Sequence, residues 1–449
     1  MDIKLSEHFT YKKLIKFTIP TIFMMIFTSI YGVVDGIFVS NCVGSDAFAA
    51  VNLIYPAIMI MGAVGFMIGT GGSALVSKTI GEGKKDEANR YFSMLIYLLI
   101  ILGAILTVLG IFVIKPISAL LGAEGNILNN CIVYGITLTI GLVPFLLQNA
   151  FQSFLIASEK PTMGLLITVI AGVTNIILDF VLIYLLKALN IVDLGVFGAA
   201  LATILSQAVG GIIPLIYFSR KNSSLLKLVK TKFESKAILK SCVNGSSEMM
   251  TNLSMSLVNM LYNFQLMKYI GSDGVIAYGI IMYVGFIFVG TYVGYALGSA
   301  PIIGYHYGAE NTNELKSLLK KSIKLIAVIS LVMTMLAEVS AKVLASIFVS
   351  YDTNLLNMTT NAIRLFSISY IISGFNIFAS SFFTALNNGL ISALISFVRT
   401  MVFQVIMILI LPLIWGINGI WLAIVFAESL SLVVCFIFLV LNRKKYNYA

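Results

Sequence analysis

Asp35, Asp179, Glu248 and Glu428 interrupt long apolar runs in a chain of 449 residues. At the middle of a bilayer an acidic side chain costs roughly 2.5–3.5 kcal/mol on insertion scales, so each one needs a reason. Asp35 and Asp179 have the most informative surroundings. Tyr31 stands four residues before Asp35 and Asn175 four before Asp179, so on a helix each pair shares a face. Thr203 follows Ala199 by four in a third apolar run. Convergence of the three runs would put two carboxylates, an amide, a phenol and a hydroxyl in one pocket. Such a pocket can hold a proton, because two neighbouring carboxylates in low dielectric do not both stay charged. With a carbonyl or water added, its oxygens can instead hold a hard cation such as Na⁺. The alternative is that each acid separately satisfies backbone groups or a nearby Ser or Thr.

The elements that would position these residues follow from composition. Hydrophobic residues make up 59% and charged residues 11%, against roughly 45–50% and about 25% in soluble proteins. So few charges cannot cover a soluble surface, and a mean hydropathy of +0.99 excludes disordered, collagen-like and nucleic-acid-binding classes. Breaking the chain at its polar clusters leaves twelve runs long enough to cross a bilayer as helices. Six lie near 14–39, 47–76, 91–114, 127–156, 162–186 and 196–218; six more lie near 238–267, 275–304, 319–349, 355–385, 392–414 and 418–441. None alternates in the manner of a barrel strand. The spacing therefore predicts an all-α membrane protein of twelve transmembrane helices.

Charge sets the direction. Loops on the side of the N-terminus hold 23 Lys and Arg, whereas the opposite loops hold only Lys115, Lys187, Lys268 and Lys342. That asymmetry places both termini in the cytoplasm of a multi-pass plasma (inner) membrane protein. The net charge of +10 thus marks cytoplasmic loops and implies no nucleic-acid partner. The opening MDIKLSEHFTYKKL has no apolar core, so no cleaved signal peptide is expected. Cys42, Cys131, Cys242 and Cys435 match no metal or redox spacing and read as small apolar fillers.

An internal repeat divides the chain. Val43-Gly44-Ser45-Asp46 echoes Ile270-Gly271-Ser272-Asp273, and the same offset carries Gly71 to Gly298, Gly81 to Gly308 and Glu87 to Glu314. This predicts two parallel six-helix repeats: an N-terminal bundle over 1–219, a basic cytoplasmic linker over 220–236 and a C-terminal bundle over 237–449. Six spans per half give both halves one orientation. Two such bundles enclosing a cavity, opened alternately to each side, form a transporter's architecture more than a receptor's or a channel's.

The run Asn175-Ile176-Ile177-Leu178-Asp179, Tyr31-x3-Asp35 and Gly195-x2-Gly198-Ala199-Ala200-x2-Thr203 resemble the multidrug and toxic compound extrusion (MATE) family, closest to its bacterial multidrug export branch. So do the loop Gly81-Glu82-Gly83-Lys84 and its partner Gly308-Ala309-Glu310-Asn311. The resemblance covers essentially the whole chain. It implies export of bulky, often cationic organic compounds in exchange for H⁺ or Na⁺, with no cofactor and no enzymatic activity. It also implies a cation pocket at Asp35, Asn175, Asp179 and Thr203 with Tyr31 beside it, and Na⁺ would sit on the first four. Pro20 matches a proline proposed to hinge the first span, though a proline there can equally make a static bend.

The second half departs from the family. The acid pocket is not duplicated: the repeat carries Asp35 to Tyr262 and Asp179 to Met407. Glu248 resembles a seventh-span acid important in several members, and Ala427-Glu428-Ser429 a run in related exporters. An acid that some members carry in the tenth span is replaced by Ser373 and Asn376. Glu248 and Glu428 can attract cationic substrates or pair with Arg399. Glu338 is expected to pair with Lys342 at i+4. His306, near a helix end, suits either proton chemistry or capping. No Gly-x4-Gly-Lys-Ser/Thr loop is present, so ATP-driven pumping is not expected. One chain, a monomer in the lipid bilayer, is the expected unit. A flippase for lipid-linked saccharides is the alternative function, and would call for several basic residues at the centre of a groove.

Overall fold

The computed structural model describes residues 3–350 and 352–448, and every regular element among them is helical. Helix α1 (Tyr11–Phe38) runs on into a π-helical turn, Val39–Val43, and is followed by α2 (Ser45–Gly81) and α3 (Lys85–Leu120). The fourth span is a pair, α4 (Gly125–Ile140) and α5 (Leu142–Ala157), bent by 59°. The bend falls where Pro144, in the first turn of α5, can neither donate to nor fit within a continuous helix. Helix α6 (Pro161–Asp179) continues through a π-helical stretch, Phe180–Leu185, into the single turn α7 (Leu186–Ala188), and α8 (Gly195–Ser219) completes the half.

The second half repeats this order. It comprises α9 (Ser235–Tyr269), α10 (Ser272–Gly308), α11 (Thr312–Val349) and a second bent pair, α12 (Thr353–Ser367) with α13 (Tyr370–Ala385), at 46°. Helix α14 (Gly389–Phe397) passes through the π-helical stretch Val398–Phe403 into α15 (Gln404–Trp415), and α16 (Ile417–Tyr446) closes the chain. Among the described residues, nine helices and the two bent pairs are long and apolar enough to cross a membrane. The twelfth expected span is α9, whose Lys240, Asn244, Glu248, Asn252, Asn259 and Asn263 leave it more polar than the rest. The all-α, twelve-helix layout is the one the hydropathy pattern predicts.

The repeat extends to backbone conformation. Gly44 (φ 123°) and Gly271 (φ 83°) occupy equivalent loops in left-handed geometry, as do Gly83 (φ 80°) and Glu310 (φ 54°). In the first of the latter loops, burial pushes the Glu82 carboxyl up, but the hydrogen bond from Lys84 and the charge of Lys78 outweigh it and hold the group below its usual range. In the second, Asn311 caps α11 by accepting from the Glu314 amide at 3.1 Å.

Two compact units emerge, one holding Phe27–Gly245 and the other Leu5–Ile26 together with the chain from Ser246 onward. Each unit therefore takes the opening segment of the other half's first helix. In the first unit Gly71 on α2 receives α9 at Ser241 and Gly245, and a Cβ on Gly245 would land on the Met67 carbonyl. In the second unit the repeat-related Gly298 on α10 receives α1 at Thr18 and Thr21, and Thr21 Oγ1 donates to Gly294 O at 2.7 Å. Backbones approach this closely only where small residues line both helices. The segment before α1 is also seated in the second unit. Leu5 and Phe9 are buried, Glu314 accepts from the Phe9 amide at 2.9 Å and pairs with His8, and Lys321 Nζ donates to Phe9 O. His306 is buried with its ring edge-on to Phe9, so it seats this segment and does not cap a helix.

The basic stretch after α8 is pinned along α3 within the first unit. Asn89 Oδ1 accepts from the Lys227 amide and Ser93 Oγ from the Val229 amide, both at 2.8 Å. Gly245→Ala is expected to destabilise the protein by roughly 1–3 kcal/mol through overpacking against backbone. Gly279→Ala, whose Cβ would meet nothing within 4 Å, should be neutral or slightly stabilising. Thermal melts of the two variants in detergent check the contrast.

Candidate ion and substrate pockets

The first unit brings Asp35, Asn175 and Asp179 together. Asp35 lies on the last turn of α1 before its π-helical end, and Asp179 is the last residue of α6 before the next π-helical stretch. Asp179 and Asn175 are 0% and 2% exposed. The two carboxyl groups are neighbours, with Asn175 beside Asp35. Tyr31 stands beside Asp35 and is seated against Gly172, where a Cβ would lie 2.9 Å from the phenol ring. Tyr55 and Tyr134 complete the surroundings. Neither acid forms an ion pair with Lys, Arg or His among the described residues.

Both oxygens of Asp179, one of Asp35 and the amide nitrogen of Asn175 lack hydrogen-bond partners among the described residues. Buried polar atoms are almost always satisfied, so a cluster of orphans marks a place for something else. Oxygen-rich and without a base, this set suits a proton shared between carboxyls or a small hard cation. Thr203 contributes less than its position suggests: its hydroxyl donates back to Ala199 O at 3.0 Å, and no hydrogen bond joins it to either acid. Tyr55 and Tyr134 were not singled out by spacing, because neither shares a helix with an acid and tyrosine is common in this chain.

The second unit resolves its charges differently. Arg399, on the π-helical stretch between α14 and α15, grips Glu428 of α16 with Nη2–Oε1 2.8 Å and Nε–Oε1 2.9 Å. Asn376 on α13 donates to Glu428 Oε2 at 2.6 Å and to its backbone carbonyl at 2.9 Å. The Glu428 side chain is 1% exposed, so both its charge and its lone pairs are satisfied inside the protein. Glu428 therefore pairs with Arg399. Glu248 on α9 lies near enough to feel Arg399 but makes no ion pair among the described residues. Tyr262, at the repeat position of Asp35, is buried and stacked on Tyr278 with ring centroids 4.7 Å apart. The expected Glu338–Lys342 pair is not formed. Glu338 turns instead toward α12, where it accepts from Ser367 Oγ at 2.9 Å and faces Arg364 at 4.0 Å. Pro20 sits inside α1, which passes through it as one continuous helix.

A family model described as MatE matches residues 20–181 and again residues 249–410. The chain belongs to the MatE family. Its two matches coincide with the two halves of the repeat, and the family is one of transporters rather than enzymes. The multidrug export protein MepA of Staphylococcus haemolyticus (strain JCSC1435) is 26% identical over 431 residues, covering 94% of this chain and 92% of that protein. MepA of Staphylococcus saprophyticus (strain ATCC 15305) is 24% identical over 440 residues, covering 97% and 94%. Among solved structures, the outward-facing conformation of a multidrug resistance MATE family transporter of the MOP superfamily superposes with a TM-score of 0.91 at 24% identity, over 98% of each chain. That likeness carries the fold.

As a MatE transporter, the chain has its buried Arg399 committed to Glu428. Removing one partner of a buried ion pair costs about 3–5 kcal/mol, whereas replacing both by apolar residues is often neutral. Arg399→Met is expected to lower the melting temperature sharply, and Arg399→Met with Glu428→Leu to recover most of the loss. Melting curves of the single and double variants measure the difference.

Proposed function

We propose that this MatE transporter exports bulky organic cations and drugs across the plasma membrane, exchanging them for H⁺ or Na⁺ taken up between Asp35 and Asp179. The single observation that carries the reading is that cluster of buried acid oxygens that have neither a hydrogen-bond partner nor an ion-paired base among the described residues. The relatives named multidrug export proteins support the cargo class. The excess of basic residues in alternate loops supports a multi-pass arrangement with both termini cytoplasmic. Each chain holds both halves of the repeat, which supports one chain as the working unit.

With the pocket open to the outside, an external ion enters between the carboxyls and neutralises them. The helices that carry them, α1 and α6, then relax against the π-helical segments that follow both acids. π-Helical turns are strained and recur at functional sites, which suits them to yield first. The rearrangement lowers affinity for cargo, which leaves on the outside; the carrier turns, loses the ion inward and takes up new cargo. Linkage makes the antagonism mutual, so cargo weakens ion binding by the same factor. One charge crossing 100 mV supplies roughly 2.3 kcal/mol, enough to sustain about a fortyfold gradient. Glu248 is the second unit's carboxylate without an ion pair among the described residues, and it serves as the counter-charge for a cationic cargo. A lipid-linked saccharide flippase is disfavoured, because Arg399 is already spent on Glu428 and offers nothing to a phosphate.

Asp35→Asn and Asp179→Asn are each expected to reduce ion-driven uptake of ethidium into proteoliposomes to below about a twentieth of the unmodified protein; unchanged uptake in both would end the proposal. Glu248→Gln should weaken ethidium binding about tenfold, the equivalent of about 1.4 kcal/mol, while leaving a neutral cargo unaffected. Fluorescence titration of the purified protein reads this second effect.

A further inference from the structure

Helices α5, α6 and α8 enclose a small internal cavity two turns away from the acid pair. Its volume is about 10 Å³, and it is walled by Gln148, Gln152 and Thr168 with Gly164, Gly210 and apolar neighbours. On α6, Thr168 precedes Asn175 by seven residues, about 10 Å along the helix; on α8, Gly210 follows Thr203 by seven. Both steps lead from the acid pair toward the 158–160 loop and the end of α8, the side that the loop charges assign to the cytoplasm. The cavity thus lies on the inward side of the pocket, on the same helices.

The polar walls are deeply buried: Gln148 is 6%, Gln152 9% and Thr168 3% exposed. Gln148 Oε1 has no hydrogen-bond partner among the described residues. Its amide is held flat against Gly210, where a Cβ would lie 2.7 Å from Gln148 Cδ. The same amide lies beside Tyr31, which in turn lies beside Asp35. An apolar void of this size would stay dry, but a site with an orphaned acceptor and two further polar walls has the size and partners to hold one water.

The geometry points to a buried water on Gln148, Gln152 and Thr168 as the inward release station for the coupling ion, and hence to a proton as that ion. The inference rests on ion uptake at Asp35 and Asp179. A proton leaves the neutral carboxyl, which becomes a carboxylate. The Tyr31 oxygen accepts it as the tyrosine's own hydrogen moves to the held water, and that water passes one of its hydrogens toward the cytoplasm. No atom larger than hydrogen travels. Na⁺ would have to pass with a full shell of oxygens, and a one-water space walled by three polar side chains does not provide it.

The test uses the full chain in proteoliposomes with ethidium as cargo and pH and Na⁺ gradients imposed separately. Gln148→Leu is expected to slow pH-driven ethidium transport at least tenfold while its binding constant stays within twofold. A solvent deuterium isotope effect near 1 in the unmodified protein should rise above about 2, a signature that a packing defect would not produce. Thr168→Val, which keeps shape and loses only the hydroxyl, should shift both readouts the same way by a smaller factor, even where Gln148→Leu folds poorly. Unchanged rates in both variants, or slowed transport with no isotope effect, would overturn the inference. Transport driven by Na⁺ alone would overturn it too, while leaving the acid pair to be judged separately by Asp35→Asn.

Discussion

Two carboxylates held in the membrane interior without a base are the constraint around which the first unit is built. Desolvating both as anions is prohibitive, so the folded protein must keep at least one of them neutral or bridged by a cation. The surroundings do this with oxygen and aromatic surface alone. Tyr31, Tyr55 and Tyr134 stand around the pair, Asn175 supplies an amide, and Gly172 lets Tyr31 approach. The helix is also interrupted by a π-helical stretch immediately after Asp179 and shortly after Asp35. Charge that cannot be satisfied in place is thus set beside backbone that is already less than optimally bonded.

The second unit shows what the same fold does when that constraint is lifted. At the position of Asp35 stands Tyr262, buried and stacked on Tyr278, an arrangement stable without any ion. The deeply buried acid of this unit, Glu428, has two groups satisfying it: the Arg399 guanidinium, through more than one nitrogen, and the Asn376 amide. Such a closed network contributes geometry. One repeat therefore keeps a pair of acids without an ion pair among the described residues, and the other an acid held by Arg399 and Asn376.

Much of this was legible before any coordinates. Apolar run lengths reveal the helices because the bilayer imposes a minimum length on each. The four-residue spacings of Tyr31–Asp35 and Asn175–Asp179 reveal shared faces because an α-helix repeats every 3.6 residues. What spacing cannot supply is how each helix is rotated toward its neighbours. Thr203 has the right position yet bonds to its own helix, and Glu338 prefers Arg364 and Ser367 across a helix contact to Lys342 along its own. Gln148, Gln152, Tyr55 and Tyr134 come from helices other than those of the acids, so no pattern within one helix links them to the pocket. The choice open to Glu428, cargo or Arg399, depended likewise on the placement of α16 against a π-helical stretch that hydropathy does not reveal.

The division of α1 gives the proposed exchange a physical route. Its opening part is seated in the second unit, with Thr21 bonded to Gly294 and Phe9 held by Glu314 and Lys321, while its closing part carries Asp35 in the first. Helix α9 mirrors it, with Gly245 against α2 in the first unit and Glu248 at the start of the part that belongs to the second. Each leading helix thus joins an anchor in one unit to a candidate site residue in the other. An ion that changes the preferred path of α1 near Asp35 acts on a rod whose other end is fixed by hydrogen bonds. Pro20 lies just before Thr21, where α1 lacks a backbone N–H and is easiest to bend. A bend at Pro20 would carry Thr21 together with the Asp35 segment and leave in place only the part of α1 before the proline, so it would load the Thr21–Gly294 bond.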